Sequence, residues 1–261
     1  MSTFRHSRRR LVLALSVAAP LTAASVLALG ARWSTTLDLL THFRAQYFLG
    51  FVLLAGYLLW ARAYHLALGA LAMVTLNGYW LAPLFVTDGV TLHAASDPIV
   101  VMSANVLHRG GDPRRTSETI ARVKPDVVAE LKGGLLLIAT HPIPPIGPDE
   151  TLARNAQLVE LGKKAAESER PVLLVGDLNT TPFSPSFSDL LRHGGFRDSA
   201  RGHGYAPTWP TFFLPLSIPI DHALHSSNVE IVDRRVGPNI GSDHYPLVVT
   251  VRYETEQILS R

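Results

Sequence analysis

The 261-residue chain has no cysteine. That excludes disulfide frameworks, thiolate-ligated zinc, iron–sulfur clusters and thiol nucleophiles. Charge is scarce too: 17% of residues are Asp, Glu, Lys or Arg, against about a quarter in soluble chains. With 47% hydrophobic residues and a mean hydropathy of +0.18, the chain is no disordered polymer, and part of it is expected in lipid. No internal repeat or low-complexity linker is present. A basic stripe is lacking as well, although the net charge is +3. Residues 1–96 carry seven Arg against Asp38 and Asp88, whereas residues 97–261 carry 17 Lys and Arg against 19 Asp and Glu. The basicity belongs to the amino-terminal part and gives no support to a nucleic-acid groove.

What is present first is apolar length. Residues 11–30 form an uncharged run of 20 behind Arg5, Arg8, Arg9 and Arg10, and about 20 such residues span a hydrocarbon core of roughly 30 Å. Residues 45–61 and 63–87 are two more uncharged stretches. A cleaved signal peptide is not normally followed by two further spans, so the expectation is three transmembrane helices in a multi-pass cell-membrane protein. Arginines at residues 1–10 favour the cytoplasmic side. Three crossings then place residue 88 onward outside the cytoplasm. No charge lies inside a span, which leaves the helices as an anchor in the lipid bilayer without an ion path.

From residue 97 the texture changes to short apolar runs broken by Gly, Pro and polar turns. Strands are expected at 98–105, 126–131, 135–141, 171–177, 218–224 and 245–253, and helices at 116–123, 149–166 and 186–192. Four apolar runs end in a polar residue: Asn105, Glu130, His141 and Asp177. Strand ends that open into one crevice are where α/β proteins place ligands. Asp and Asn also favour turns, so Asp177 and Asn179 could be turn formers, and Asp243 with His244 could be a structural pair. Carboxylate, amide and imidazole groups without thiols suit a hard cation, Mg²⁺ or Mn²⁺.

Several motifs then occur together and in order: Ser103-Ala104-Asn105, Pro125-Asp126-Val127-Val128, Thr140-His141-Pro142, Gly176-Asp177-Leu178-Asn179, Pro207-Thr208-Trp209-Pro210, Ile220-Asp221-His222 and Gly241-Ser242-Asp243-His244-Tyr245-Pro246. In these the chain resembles the endonuclease/exonuclease/phosphatase family, and the three-helix anchor is similar to a membrane-bound bacterial branch of it. The resemblance implies an α/β fold, a shortened four-layer sandwich over residues 97–253, with a tail at 254–261. It also implies site roles. His244, oriented by Asp221, would sit against the scissile phosphate; Asp177 would position or deprotonate the attacking water. Asn179 would hold that water or a phosphate oxygen, and His141 would contact the phosphate. Asn105, Asp243 and Glu130 would hold the Mg²⁺ or Mn²⁺ ion. The expected activity is hydrolysis of a lipid-linked, nucleotide or nucleic-acid phosphate ester, with no protein partner inferred.

Two positions depart from the family pattern. The family's metal-binding Glu falls where Lys132 stands, two residues beyond Glu130; period-two alternation keeps Glu130 on the same face, one pleat short. Ten residues separate Glu130 from His141 where the family has several strands and a helix, an apparent internal deletion around Lys132-Gly133-Gly134. A catalytically impaired membrane protein that keeps a truncated phosphoesterase fold is the competing expectation. His193, His203, His222 and His225 are expected to be surface or structural, Trp209 a packing residue, and Arg114-Arg115 and Arg234-Arg235 solvated turns.

Overall fold

A computed structural model describes residues 2–87, 89–90, 92, 95–105 and 134–255, with residues 2–13 described by backbone alone. The chain divides into two compact units, Met1–Ala82 and Pro83–Arg261. The expected helix at 116–123 and strand at 126–131, and with them Glu130, Lys132 and Arg114-Arg115, lie outside the described residues.

The first unit is helical: α1 (Ser2–Leu27), a 3-10 turn (Ala28–Trp33), α2 (Thr35–Thr41), α3 (Arg44–Trp60) and α4 (Tyr64–Leu81). Tyr47, Phe51, Ala55 and Leu58 recur at helical spacing on α3 and are buried against Ala67 and Ala70 of α4. The small residues let the two backbones approach closely. Two stretches, Ala14–Trp33 and Tyr64–Phe85, are by themselves long and apolar enough to cross a membrane. The expected middle span is not. Helix α3 has 17 residues, about 26 Å of rise, and reaches spanning length only if counted with α2, to which it is bent by 56°.

Arg44 is the first residue of α3 and is 1% exposed. Its Nη1 donates to Ser25 O at 3.1 Å and to Asn77 Oδ1 at 3.2 Å, and its guanidinium lies 5.4 Å from the Trp80 ring centroid. Asn77 Nδ2 donates to Ser25 Oγ at 2.8 Å. Polar residues of α1, α3 and α4 thus meet at one buried point.

In the second unit, β1 (Ile99–Ser103), β7 (Leu247–Tyr253) and β6 (Val229–Val236) form one antiparallel sheet in the order β1-β7-β6. The other sheet has the order β2-β3-β5-β4, from β2 (Leu136–Ala139), β3 (Val172–Asp177), β5 (Asp221–His225) and β4 (Arg197–Asp198). Strands β2 and β3 are parallel, with α5 (Pro148–Ala166) as the crossover; β5 runs antiparallel to β3. Helix α6 (Pro185–Gly194) follows β3 and ends at Gly195, whose φ of 61° suits glycine.

Period-two alternation sorts the core. Leu173, Val175 and Ala223 face the other sheet and pack with Val101, Leu247, Val249 and Val251. Val172, Leu174 and Leu224 face outward and pack with Leu158 and Ala165 of α5 and Phe187 and Leu190 of α6. The described layers are helices, sheet and sheet. The expected fourth layer is not found among the described residues, and the helix expected at 116–123 lies outside them.

Strand β6 was not anticipated, because Glu230, Asp233, Arg234 and Arg235 make it read as a solvated loop. It is an edge strand with a register shift between Ile231 and Asp233. Arg234, expected on a solvated turn, is buried with Nε donating to Ser199 Oγ at 3.1 Å. Arg235 is half-exposed beside Asp233. Proline trims the expected strand ends: Pro219 and Pro246 lack the N–H a ladder needs, so β5 begins at Asp221 and β7 at Leu247.

Candidate active site

The site assembles where β3 ends and β5 begins. Asp177 and Asp221 are direct cross-strand partners in the β3–β5 ladder, so their side chains share a face. Both are buried. Gly176 makes the strand end possible: its φ is 145°, and a Cβ there would stand 1.9 Å from Thr140 O. Asn179 then adopts a φ of 51°, a left-handed conformation that Asn tolerates. Its backbone N–H donates to Asp177 Oδ1 at 2.9 Å, closing an Asx turn, and its Nδ2 donates to Pro142 O at 3.0 Å. Fully buried Arg154 of α5 donates from Nη1 to Asn179 O and fixes the turn from behind.

His244 comes from the turn before β7. Its Nδ1 lies 2.9 Å from Asp221 Oδ2, and its Nε2 lies 3.7 Å from Asp177 Oδ2. With Nδ1 held by Asp221, Nε2 is the nitrogen left for chemistry. Asn105, two residues past β1, donates from Nδ2 to Asp177 Oδ2 at 3.0 Å and lies 3.4 Å from His244 Nε2. His141 Nε2 stands 3.4 Å from the same Asp177 oxygen, with its side chain about half exposed. Beside His141 a cleft of about 490 Å³ opens, lined by Gln157, Glu160 and Lys164 of α5 among others. Asp243 lies next to His244; its Oδ2 accepts from Trp209 Nε1 at 3.2 Å. Ser242 Oγ donates to Asn105 O at 2.6 Å and so ties the segment after β1 to the turn before its neighbour β7.

The electrostatics follow from this crowding. Burial pushes the Asp177 carboxyl above the usual carboxylate range and the Asp221 charge adds to the rise, against the Asn179 N–H and the two imidazoles. Burial alone would lower the His244 pKa, but the hydrogen bond to Asp221 and the charges of Asp221, Asp177 and Asp243 outweigh it and raise it. His222, on the opposite face of β5, is fully buried; desolvation lowers its pKa, and its Nε2 meets Thr180 O at 2.8 Å. His225 is likewise buried and lowered. Of the two expected settings, surface or structural, both are buried rather than at the surface.

Every sequence-predicted site residue among the described ones therefore converges: Asn105, His141, Asp177, Asn179, Asp221, Asp243 and His244. Glu130 lies outside the described residues. Asp177, Asp221 and His244 bring ligand atoms within 4.8 Å of one another, close enough to share a metal ion. Three supporting residues were missed. Trp209, read as packing, holds Asp243 and lies 6.3 Å, centroid to centroid, from His244. Ser242 stood inside a recognised motif, and its place directly before Asp243 was the available signal. Arg154 carried none, being one cation on an amphipathic helix.

The fold and site thus define a two-sheet α/β unit with a carboxylate–imidazole crevice at its strand ends. The model of the Endonuclease/Exonuclease/phosphatase family matches residues 98–244, and the chain belongs to that family. Its members are phosphoesterases and nucleases. Similar solved structures include an endonuclease/exonuclease/phosphatase from Bacteroides vulgatus (20% identity, 40% of this chain and 45% of that one, TM-score 0.35). Another is from Beutenbergia cavernae (21% identity, 46% and 36% covered, TM-score 0.39). A third is a mannosyl-6-phosphatase of Bacteroides thetaiotaomicron (19% identity, 45% and 50% covered, TM-score 0.31). The chain spans half or less of the length of these three structures. No curated relative matches it.

Proposed function

We propose that the chain is a membrane-anchored, divalent-metal-dependent phosphoesterase that hydrolyses a phosphomonoester or phosphodiester outside the cytoplasm. The observation that carries this reading is the Asp221–His244 pair, closed at 2.9 Å and set against Asp177 and Asn105. Hydrolysis of a phosphoester needs an oriented water, donors for the equatorial oxygens and rigid placement of both. Asp177 orients the water and accepts its proton as the P–O bond to the leaving alkoxide breaks, and the alkoxide takes up a proton from solvent. Asn179 and His141 hold phosphate oxygens. His244 Nε2 donates to the phosphoryl group while Asp221 fixes its ring, as a carboxylate fixes an imidazole in other hydrolases.

The donor set suits a hard cation. Asn105 Oδ1 has no partner among the described residues, the Asp243 carboxylate is joined to Asn105 through Ser242, and thiols are lacking. Asn105, Asp243 and Glu130 would hold Mg²⁺ or Mn²⁺, which supplies charge neutralisation at the phosphate. Three spans, with α2 and α3 counted as one, a fourth sandwich layer and a natural deletion between Glu130 and His141 complete the reading. Lys132 at the family's metal position favours a second one, an impaired enzyme on a truncated fold.

The test is hydrolysis of mono- and diester phosphates by detergent-purified full-length protein with Mn²⁺ or Mg²⁺, with Asp177→Asn alongside. Metal-dependent turnover that disappears in the variant supports the first reading. A folded protein that turns over no ester under any metal supports the second.

A further inference from the structure

Among the described residues of the second unit, six of the ten exposed large hydrophobics lie on two loops that leave the site: Ile143 and Ile146 on one, Phe212, Phe213, Leu214 and Leu216 on the other. Phe212 is 79% exposed and Ile146 86%. A soluble surface rarely gathers such residues into one place without a partner.

Both loops grow directly out of site residues. The first begins at His141 and is tied to Asn179 through Pro142 O. The second follows Trp209, which holds Asp243; Thr211 N donates to Asp243 O at 2.9 Å and Thr211 Oγ1 to Ser242 O at 2.9 Å. Its far end is fixed by Ser217, 1% exposed, whose carbonyl accepts from Tyr205 OH at 2.8 Å. The five residues Phe212–Leu216 between these ties are all apolar and all exposed. No charged residue occurs from Ala206 to Ile220. The loop is presented by a rigid frame and has nothing of its own to cover.

The bilayer is the cover at hand. Within the second unit Gly204 N donates at 2.8 Å to Leu84 O, and Leu84 belongs to the apolar stretch Tyr64–Phe85. The frame that carries the loop is therefore bonded to the end of a segment fit to cross a membrane. Phe, Leu and Pro without flanking charge match the interfacial and acyl region of lipid, whereas a protein interface of this size would carry a polar rim.

We propose that Phe212–Leu216, with Ile143 and Ile146, inserts into the lipid surface and seats the mouth of the site on it, so that the substrate is a phosphate ester carried by a membrane lipid. The substrate class rests on the phosphoesterase reading above; the lipid contact does not.

The chain's lack of cysteine makes a clean test. Full-length protein with Phe212→Cys, labelled with an environment-sensitive fluorophore, is reconstituted into phosphatidylcholine–phosphatidylglycerol vesicles; Glu169→Cys, exposed just ahead of β3 at the end away from the site, is the control. The label at 212 is expected to be quenched by headgroup-level nitroxide lipid and shielded about fivefold from aqueous iodide relative to the label at 169. Equal iodide access, or shielding without lipid quenching as under a protein cover, overturns the contact. In the same vesicles Phe212→Ser with Leu214→Ser is expected to lower the ratio of lipid-borne to water-soluble phosphomonoester turnover about tenfold; an unchanged ratio overturns the substrate class. Should native protein hydrolyse neither ester, the phosphoesterase reading fails while the label still decides the contact.

Discussion

In the helical unit the buried guanidinium of Arg44 meets neutral dipoles, the carbonyl of Ser25 and the amide of Asn77, with the Trp80 ring beside it. In the α/β unit two buried carboxylates, Asp177 and Asp221, stand opposite each other with the His244 imidazole between them and His141 beside Asp177. The first cluster draws on three helices and only joins them. The second sets like charges together and leaves the carboxyl of Asp177 above its ordinary range. Buried polarity that is nearly satisfied specifies packing; buried polarity left in conflict stores reactivity, which is why displaced pKa values mark working sites.

The sharpest way to break that contrast is to remove conflict on one side. Asp177→Asn and His244→Ala are each expected to lower kcat at least about a thousandfold, measured on the preferred ester. Asp177→Asn removes a buried charge, so its melting temperature is expected not to fall; a lower one would mean that Asp177 stabilises the fold. Asp221→Asn frees the His244 ring, and a loss of about a hundredfold in kcat with little change in KM is expected. Gly176→Ala drives a Cβ into Thr140 O and is expected to cost about 3 kcal/mol in denaturant unfolding of the α/β unit.

On the helical side Arg44→Met removes the bolt and leaves the Asn77 amide short of a partner. It is expected to weaken the helical unit by about 1 kcal/mol, read by denaturant titration in detergent, with ester turnover per folded molecule retained. Loss of turnover would mean that the two clusters are coupled. The smallest effect concerns pH. His222 and His225 are kept neutral by burial, so their folded pKa values lie below the unfolded value near 6.5. Their contribution to stability is full above about pH 6.5 and falls as pH drops below it, by up to about 1.4 kcal/mol per pH unit for each histidine. His225→Gln is expected to flatten that slope in pH-dependent unfolding.

Much of the site could be read from the sequence, because its residues sit where apolar runs stop. Asn105, His141 and Asp177 end such runs, and Asp221, Asp243 and His244 stand beside prolines that end or delay strands. The rest was hidden for physical reasons. Strand β6 is an edge strand, and its charges face solvent except for Arg234. Arg154 and Arg44 look like ordinary surface cations until packing buries them, and no local pattern announces which long side chain will be swallowed. The bend between α2 and α3 was equally hidden, since an uncharged run gives apolar length without the direction of the helix axis.

One consequence of the β3–β5 ladder concerns quality control. Because Asp177 and Asp221 are paired residue against residue, a one-residue slip of either strand would turn one carboxylate onto the helix side of the sheet and bring an apolar neighbour to the crevice. A misregistered molecule would keep its secondary structure and lose its chemistry. Specific activity per mole of protein would then act as a parity bit for strand alignment, detecting a folding error that circular dichroism would pass.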